Sequence, residues 1–185
     1  PMNVLGLSFY YHDSAAALVK NGVLVAASAE ERFSRKKHDS GFPELAIEFC
    51  LERGGISIHD VDYVVFYEKP FVKFERMLLT AMATFPRSAA VFRESMQRWI
   101  SDKLWIKSMM SKRLSVPRSK FLFADHHVSH AASSFYTSPF EEAAILTVDG
   151  AGEWTTSTMA VGRGNKIEVI KEMRFPHSLG LLYSA

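Results

Sequence analysis

The dipeptide Asn21-Gly22 is the feature that most constrains how this 185-residue chain can fold. It joins two apolar runs of strand length, AAALVK (15–20) and VLVAAS (23–28). Asn and Gly both tolerate the positive φ angles that a tight hairpin turn requires. Because another apolar run, NVLGLSF, precedes the polar turn YYHDS, the chain is predicted to open as three successive strands.

The rest of the chain alternates helix and strand patterns. FPELAIEFCLERGG predicts a helix that begins at Pro43 and stops at Gly54-Gly55. Apolar runs at 61–67 and in KFLFAD predict two more strands, the first of them buried. HHVSHAASSFYTS predicts a helix, and three strands are expected after it. The order β-β-β-α-β-(α-α)-β-α-β-β-β indicates an α/β fold.

Two stretches fall outside this regular alternation. From about 71 to 118 the spacing is helical and rich in Met and aromatic residues. We expect a helical insertion packed on the domain; a groove for an apolar substrate is the less favoured interpretation. The last residues, HSLGLLYSA, predict the beginning of a helix that must bury its apolar face. We therefore expect the N-terminal part of a longer protein.

Composition excludes several classes of protein. A formal net charge of +2 is too small to indicate a nucleic-acid partner. No apolar run approaches the roughly 20 residues that span a bilayer, so no membrane partner is expected. Cys50 is the only cysteine, which excludes an internal disulfide and is typical of a cytoplasmic protein.

Three histidines and an aspartate crowd the sequence DHHVSHA. His126 and His130 are four residues apart, so on a helix they share one face within reach of one cation. Neutral imidazole suits Zn, Fe, Ni or Cu, whereas Asp125 is at the predicted N-cap. Two ligands do not complete a metal site, because three or four are usual. A capped helix with satisfied histidines is the alternative.

The sequence VDGAGEW offers a third ligand. Asp149 ends an apolar strand and is followed by Gly150 and Gly152, which allow a backbone to approach a phosphate or a metal closely. Acids at strand ends are commonly placed for ligands in α/β folds. A turn in which the aspartate caps local N–H groups explains the motif equally well.

Two further loops carry polar side chains. His12, Asp13 and Ser14 offer a base, an acceptor and a hydroxyl in the first loop, although a polar hairpin turn is the simpler interpretation. Arg32 and Lys36 belong to the basic run RFSRKKH. This run is either a solvated loop or a clamp for phosphate or carboxylate.

The joint order of these motifs is informative. Strand–turn–strand modules at 4–18 and 143–162 are separated by a helix–strand region, as in actin-like ATPase and ribonuclease H-like folds. The blocks GLSFYYHDSAAAL, EERFSRKKHDSGFP, DHHVSHAASSFY, LTVDGAGEW and FPHSLGLLYSA resemble the carbamoyltransferase family that includes nodulation protein U and antibiotic O-carbamoyltransferases. The resemblance implies that residues 1–185 form a truncated N-terminal lobe of the carbamoyl-transfer domain, α/β with a mixed sheet and the helical insertion.

The resemblance also implies residue roles. A catalytic base near the carbamoyl group would be His12, and a divalent metal ion, iron or zinc, would have three ligands in this chain. Those ligands are His126, His130 and Asp149. The residues expected at the nucleotide phosphates are Asp13, Ser14, Gly150 and Gly152. The candidate anion-binding residues are Arg32 and Lys36.

The implied reaction transfers carbamoyl from a carbamoyl-adenylate to the hydroxyl of a small molecule. Carbamoyl phosphate and ATP would form that adenylate in a later domain, and a fourth ligand, an aspartate, would lie beyond residue 185. The chain alone is therefore expected to be inactive. A sugar-kinase-like protein, a threonylcarbamoyl-transfer protein and a non-catalytic nucleotide-binding module are the alternatives.

Overall fold

The computed structural model describes residues 1–11, 13–101 and 103–184. The chain divides into two compact units, each assembled from two separate segments. The first unit comprises Pro1–Tyr67 and Ile106–Phe123, and the second comprises Glu68–Trp105 and Ala124–Ala185. The helices are α1 (Glu31–Ser34), α2 (Glu44–Gly54), α3 (Pro70–Ala83), α4 (Ala89–Ser101), α5 (Ile106–Leu114), α6 (His126–Phe135) and α7 (Leu179–Ser184).

A five-stranded mixed sheet forms the centre of the first unit. Its strands are β1 (Asn3–Ser8), β2 (Ala15–Lys20), β3 (Val23–Ala29), β4 (Tyr63–Phe66) and β5 (Phe121–Phe123). They lie in the order β3-β2-β1-β4-β5; β2 is antiparallel to β1 and β3, whereas β4 is parallel to β1 and β5. This is the strand arrangement of a ribonuclease H-like lobe. The predicted fold class and the three-strand opening are confirmed.

Alternation along the strands builds the apolar core of the first unit. Leu5 of β1 lies opposite Leu18 of β2 and Val64 of β4, and all three side chains are fully buried. Leu7 and Phe66 repeat the pattern two residues along. Because side chains two apart in a strand point to the same face, one face of the sheet forms the core, and α2 contributes buried residues to it.

Both ends of α2 are held by other segments. The buried carboxylate of Glu30 accepts hydrogen bonds from the N–H groups of Leu45 and Ala46 at 3.1 and 2.7 Å, which satisfies two of the four free donors of a helix start. At the other end a Cβ on Gly54 would lie 2.4 Å from Leu18. A side chain at this position would therefore displace Leu18 where α2 meets β2.

The second unit contains an antiparallel sheet of three strands. They are β6 (Glu142–Val148), β7 (Thr155–Arg163) and β8 (Lys166–Arg174), in that order. Helix α6 packs on this sheet through Ala131 and Phe135, which meet Ile145 and Ala160. A Cβ on Gly162 would lie within 2.7 Å of the Phe135 ring, so this glycine makes room for the helix.

The stretch from 71 to 118 is largely helical, as predicted, but its helices divide between the units. Helices α3 and α4 belong to the second unit, whereas α5 packs in the first. That this stretch is an insertion stays a prediction. No helix in the ranges that the structure describes is long and apolar enough to cross a lipid bilayer.

Candidate metal centre

Helix α6 presents two adjacent stripes of side chains with different roles. His127, Ala131 and Phe135, at intervals of four residues, are buried, and they form the stripe that faces the sheet. His126 and His130 form the neighbouring stripe, one residue earlier in each turn. The helical period of 3.6 residues therefore places this histidine pair at the side of the packed face.

The histidine pair meets Asp149, which directly follows β6. The Nε2 atom of His126 is 2.8 Å from Oδ2 of Asp149 and 3.1 Å from Nε2 of His130. The third separation, from His130 Nε2 to the same carboxylate oxygen, is 3.9 Å. All three potential ligand atoms lie within 4.8 Å of one another. The structure thus brings together the three residues that the sequence nominated as metal ligands.

The triangle of ligand atoms fits a first-row divalent ion. Metal–nitrogen and metal–oxygen bonds of about 2.0–2.2 Å in a tetrahedral site separate neighbouring ligand atoms by about 3.3 Å. The observed separations of 2.8, 3.1 and 3.9 Å bracket that value. Two imidazoles and one carboxylate are also the donor set that zinc and iron accept in proteins.

The carboxylate of Asp149 stays ionised in this setting. Hydrogen bonding to His126, and next to His130, holds the pKa of the Asp149 carboxyl well below its usual range, against the opposing effect of its partial burial. Its other oxygen, Oδ1, accepts the N–H of Gly150 at 2.7 Å. A permanently ionised carboxylate is suited to hold a cation and unsuited to take up a proton.

The backbone around Asp149 is fixed by a segment about thirty residues later. The hydroxyl of Ser178 lies 3.1 Å from the carbonyl oxygen of Asp149 and 2.7 Å from that of Gly150. A Cβ on Gly180 would lie 2.4 Å from the same Asp149 carbonyl group. The Asp149 N–H is donated to the carbonyl of Thr156. The aspartate is thus anchored on both sides.

Gly152 allows the loop after β6 to approach His126. A Cβ at this position would lie 2.9 Å from Cδ2 of the His126 ring and 3.1 Å from the carbonyl oxygen of Thr155. The sequence pattern predicted that Gly150 and Gly152 allow a backbone to approach a phosphate or a metal. Gly152 instead approaches the imidazole of a candidate ligand, and a nucleotide-binding role for the two glycines stays a prediction.

His127 anchors α6 to the sheet instead of pointing at the ligand triangle. Its Nε2 donates to the carbonyl of Thr155 at 2.9 Å, so its Nδ1 accepts from the hydroxyl of Thr147 at 2.6 Å. The hydroxyl of Thr158 donates in turn to Thr147. Burial, and then the neighbouring His126, lower the pKa of His127. This histidine is therefore neutral and structural.

Asp125 occupies the predicted N-cap position of α6, but the prediction that its side chain caps the helix is wrong. Its side chain makes no cap hydrogen bond and pairs with Lys69 Nζ at 2.7 Å. The buried Glu153 takes the capping role, because its carboxylate accepts the backbone N–H of His126 and that of Lys69. Burial raises the pKa of Glu153.

A buried ion pair lies behind His126. Glu68 Oε2 accepts from Lys73 Nζ at 2.7 Å, and both side chains are less than one-tenth exposed. The same oxygen is 3.9 Å from Nδ1 of His126. The sequence patterns did not predict roles for Glu68, Lys73 and Glu153. The available signal was the position of Glu68 directly after an apolar strand run, the same placement that drew attention to Asp149.

The predicted residues of the first loop are only partly described. The predicted catalytic base His12 lies outside the described residues. Asp13 pairs with Nδ1 of His38 at 3.1 Å. Ser14 is fully buried and donates its hydroxyl to the carbonyl of Asp39 at 2.9 Å. In this conformation the Ser14 hydroxyl serves the packing of the loop; phosphate binding by Asp13 and Ser14 stays a prediction.

The basic run between β3 and α2 contains one helical turn, α1, where only a loop was expected. Arg32 and Lys36 are each about three-quarters exposed and lie 3.8 and 3.9 Å from Glu31 and Asp39. Such exposed pairs are worth little, so both cations remain accessible to solvent. Their anion-binding role stays a prediction.

Comparison with known proteins identifies the relatives of this chain. The family model described as carbamoyltransferase N-terminus matches residues 3–185. The chain belongs to this family. It is 53% identical over 190 residues to an uncharacterized protein of Synechocystis, with 99% of this chain and 31% of the relative aligned. Nodulation protein NolNO of Sinorhizobium fredii is 33% identical over 179 residues, which cover 94% of this chain and 25% of the relative.

This carbamoyltransferase-family chain therefore spans about a third or less of the length of these curated relatives. Among solved structures, YeaZ from Pseudomonas aeruginosa matches with a TM-score of 0.49 and 12% identity over 95% of this chain and 68% of YeaZ.

Proposed function

We propose that this chain is the N-terminal part of an O-carbamoyltransferase that transfers carbamoyl from a carbamoyl-adenylate to a hydroxyl acceptor. The observation that carries the proposal is the convergence of His126, His130 and Asp149 within 4.8 Å in a chain of the carbamoyltransferase N-terminus family. A carboxylate and two imidazoles are a donor set that a divalent zinc or iron ion accepts.

In this proposal each candidate ligand contributes a different property to the metal site. His126 and His130 offer neutral nitrogen ligands, and Asp149 supplies a negative charge that persists at every physiological pH because its pKa is lowered. A divalent ion held there supplies positive charge to a phosphate oxygen of the adenylate. His126 can bind an ion through Nε2 only when its ring proton is on Nδ1, so metal binding is expected to select that tautomer.

The proton of the acceptor hydroxyl needs a different base. Asp149 is a poor candidate, because a group with a strongly lowered pKa holds a proton weakly. His127 is occupied by Thr147 and Thr155. In the proposal His12 is this base, and that assignment rests on the family resemblance alone.

The test uses the protein at its full natural length. Incubation with carbamoyl phosphate, ATP and a panel of hydroxyl compounds should give a carbamoylated product detectable by mass spectrometry. His130→Ala should lose bound metal and product together, whereas Glu142→Gln, in an exposed pair with Arg163, should retain both. Nucleotide binding without consumption of carbamoyl phosphate would favour the non-catalytic module instead.

A further inference from the structure

The buried ion pair of Glu68 and Lys73 is costly in itself. Burial of two charges loses several kcal/mol of hydration for each ion, and apolar residues of similar size are often as stabilising. Yet both side chains are less than one-tenth exposed and pair at 2.7 Å. Lys73 lies in the first turn and a half of α3, and Glu68 lies two residues before that helix. Stability alone does not account for this pair, so its neighbours are informative.

Each ring nitrogen of His126 lies near one carboxylate. Nε2 faces Asp149 at 2.8 Å, and Nδ1 lies 3.9 Å from Oε2 of Glu68. The imidazole is only 8% exposed. When Nε2 directs its lone pair at a cation, the ring proton is on Nδ1. That proton then points towards the side on which Glu68 lies.

We propose that Glu68 is a positioning residue for the metal ligand His126, and that Lys73, 2.7 Å from Oε2 of Glu68, holds this carboxylate in place. The proposal rests on the metal site of the proposed function. A carboxylate that accepts the distal N–H of a ligating histidine fixes the tautomer and the ring orientation and raises the basicity of the ligating nitrogen. A shift of about 1 Å would bring the 3.9 Å separation to hydrogen-bond length.

The proposal separates the two candidate histidine ligands. The side chain of His126 is 8% exposed, whereas that of His130 is 52% exposed. His126 is thus the ligand whose orientation the interior of the second unit determines. We expect it to be held in place before the metal arrives, and His130 to adjust to the bound ion.

The test measures metal affinity at full natural length, after removal of bound metal by a chelator. Titration with Zn²⁺, and with Co²⁺ as a spectroscopic probe, should give an affinity about 10- to 100-fold lower for Glu68→Gln than for the wild type. Glu142→Gln makes the same change from carboxylate to amide in an exposed pair and should bind like the wild type.

A second variant guards against simple unfolding. The double change Glu68→Leu with Lys73→Met removes both charges of the pair together, so it should be less destabilising than the loss of either charge alone. It should nevertheless lose metal affinity to the same extent as Glu68→Gln. In ¹⁵N-histidine spectra of the Zn²⁺-loaded proteins, the resonance of the His126 Nδ1 proton should be shifted in both variants relative to the wild type.

The outcomes separate the two proposals. If the wild type binds Zn²⁺ and both variants bind it within twofold of the wild type, the positioning role is refuted while the metal site stands. A loss of stability in Glu68→Gln with unchanged affinity would refute it equally, since the pair would then be only structural. Failure of the wild type to bind Zn²⁺ or Co²⁺ would overturn the metal site and this inference with it.

Discussion

The interiors of the two units have different chemistry. In the first unit the buried cluster is apolar and contains large side chains such as Phe9, Phe66 and Met110. In the second unit, the apolar cluster that the described residues form beneath α6 has four buried members, Ala131, Phe135, Ile145 and Ala160. Nine of the eleven buried polar or charged residues among those described lie in the second unit; the other two are Ser14 and Glu30.

This difference suggests that one interior mainly stabilises the fold and that the other mainly orients side chains. Apolar burial is non-directional and scales with area, so the first unit is suited to supply stability. Buried hydrogen bonds are directional, and they are costly when one partner is missing. The second unit therefore fixes side-chain orientation, and it contains the ligand triangle. Mutations in the first interior should therefore lower stability and leave metal affinity unchanged, whereas mutations at the ligand triangle should lower metal affinity.

The largest effect on stability is expected in the first unit. Phe66→Ala removes a fully buried ring and should lower the free energy of unfolding by about 3–5 kcal/mol, measured by urea denaturation. Molecules that remain folded should bind metal as the wild type does. A drop in metal affinity in folded Phe66→Ala protein would mean that the two interiors are coupled.

The next effect concerns metal binding itself. Asp149→Asn keeps the shape of the side chain and removes its charge, so Zn²⁺ affinity should fall by about 100-fold, a loss of about 2.7 kcal/mol of binding free energy. The metal-free variant should also unfold at a lower temperature, because native hydrogen bonds that lower the pKa of Asp149 favour its ionised form. Equal Zn²⁺ affinity in calorimetric titrations of the wild type and Asp149→Asn would show that the aspartate is not a ligand.

Thr147→Val tests the polar interior without touching the ligand triangle. Valine matches threonine in shape but leaves Nδ1 of His127 without its hydroxyl donor at 2.6 Å. An unsatisfied buried group costs about 1–3 kcal/mol, which urea denaturation should detect. Thr137→Val is the matched control. The exposed hydroxyl of Thr137 donates to carbonyl groups of the last turn of α6, so its loss should change stability far less.

Gly152→Ala should disturb the site with little effect on stability elsewhere. The added Cβ would lie 2.9 Å from the His126 ring, so the ring must move and Zn²⁺ affinity should fall by about tenfold. Gly150→Ala is the control in the same loop, because its Cβ would meet Leu181 at an ordinary 3.6 Å. Similar affinities for the two variants would contradict a role for the close approach at Gly152.

The smallest effect is a dependence on pH. Burial raises the folded-state pKa of Glu153, so the contribution of this group is most favourable below its unfolded pKa of about 4.3. It is lost as the pH rises through the raised folded value. The free energy of unfolding of the wild type, relative to that of Glu153→Gln, should therefore decrease as the pH increases above about 4.3. A relative stability that is constant with pH would contradict the raised pKa.

Much of the fold follows from local sequence patterns. Asn21-Gly22 forms the turn of the β2–β3 hairpin, with both residues at positive φ. The i, i+4 spacing of His126 and His130 predicts that they share one face of a helix, whereas their meeting with Asp149 is implied by the family resemblance. These inferences succeed because each depends on a periodicity that short stretches of chain already express.

The site residues that the sequence patterns did not predict owe their burial or their hydrogen bonds to segments distant in sequence. Glu68 and Lys73 belong to the charged sequence YEKPFVKFER, which looks like a solvated surface, and only the packing around α3 buries them. Glu153 caps a helix that begins 27 residues before it. Assignment of α3 and α4 to one unit and α5 to the other likewise follows from packing, because helical periodicity identifies an apolar face but not its partner.

The contact between Gly180 and the carbonyl group of Asp149 has a consequence for the order of events during synthesis. Helix α6 and strand β6 leave the ribosome well before the segment around Ser178 and Gly180 that buttresses the aspartate. At about 5–20 residues per second, the interval from Asp149 to Gly180 lasts about 2–6 s. During this interval the nascent chain has both histidines but a loosely held carboxylate. In the proposed function, capture of a metal ion with native affinity would therefore follow the docking of α7.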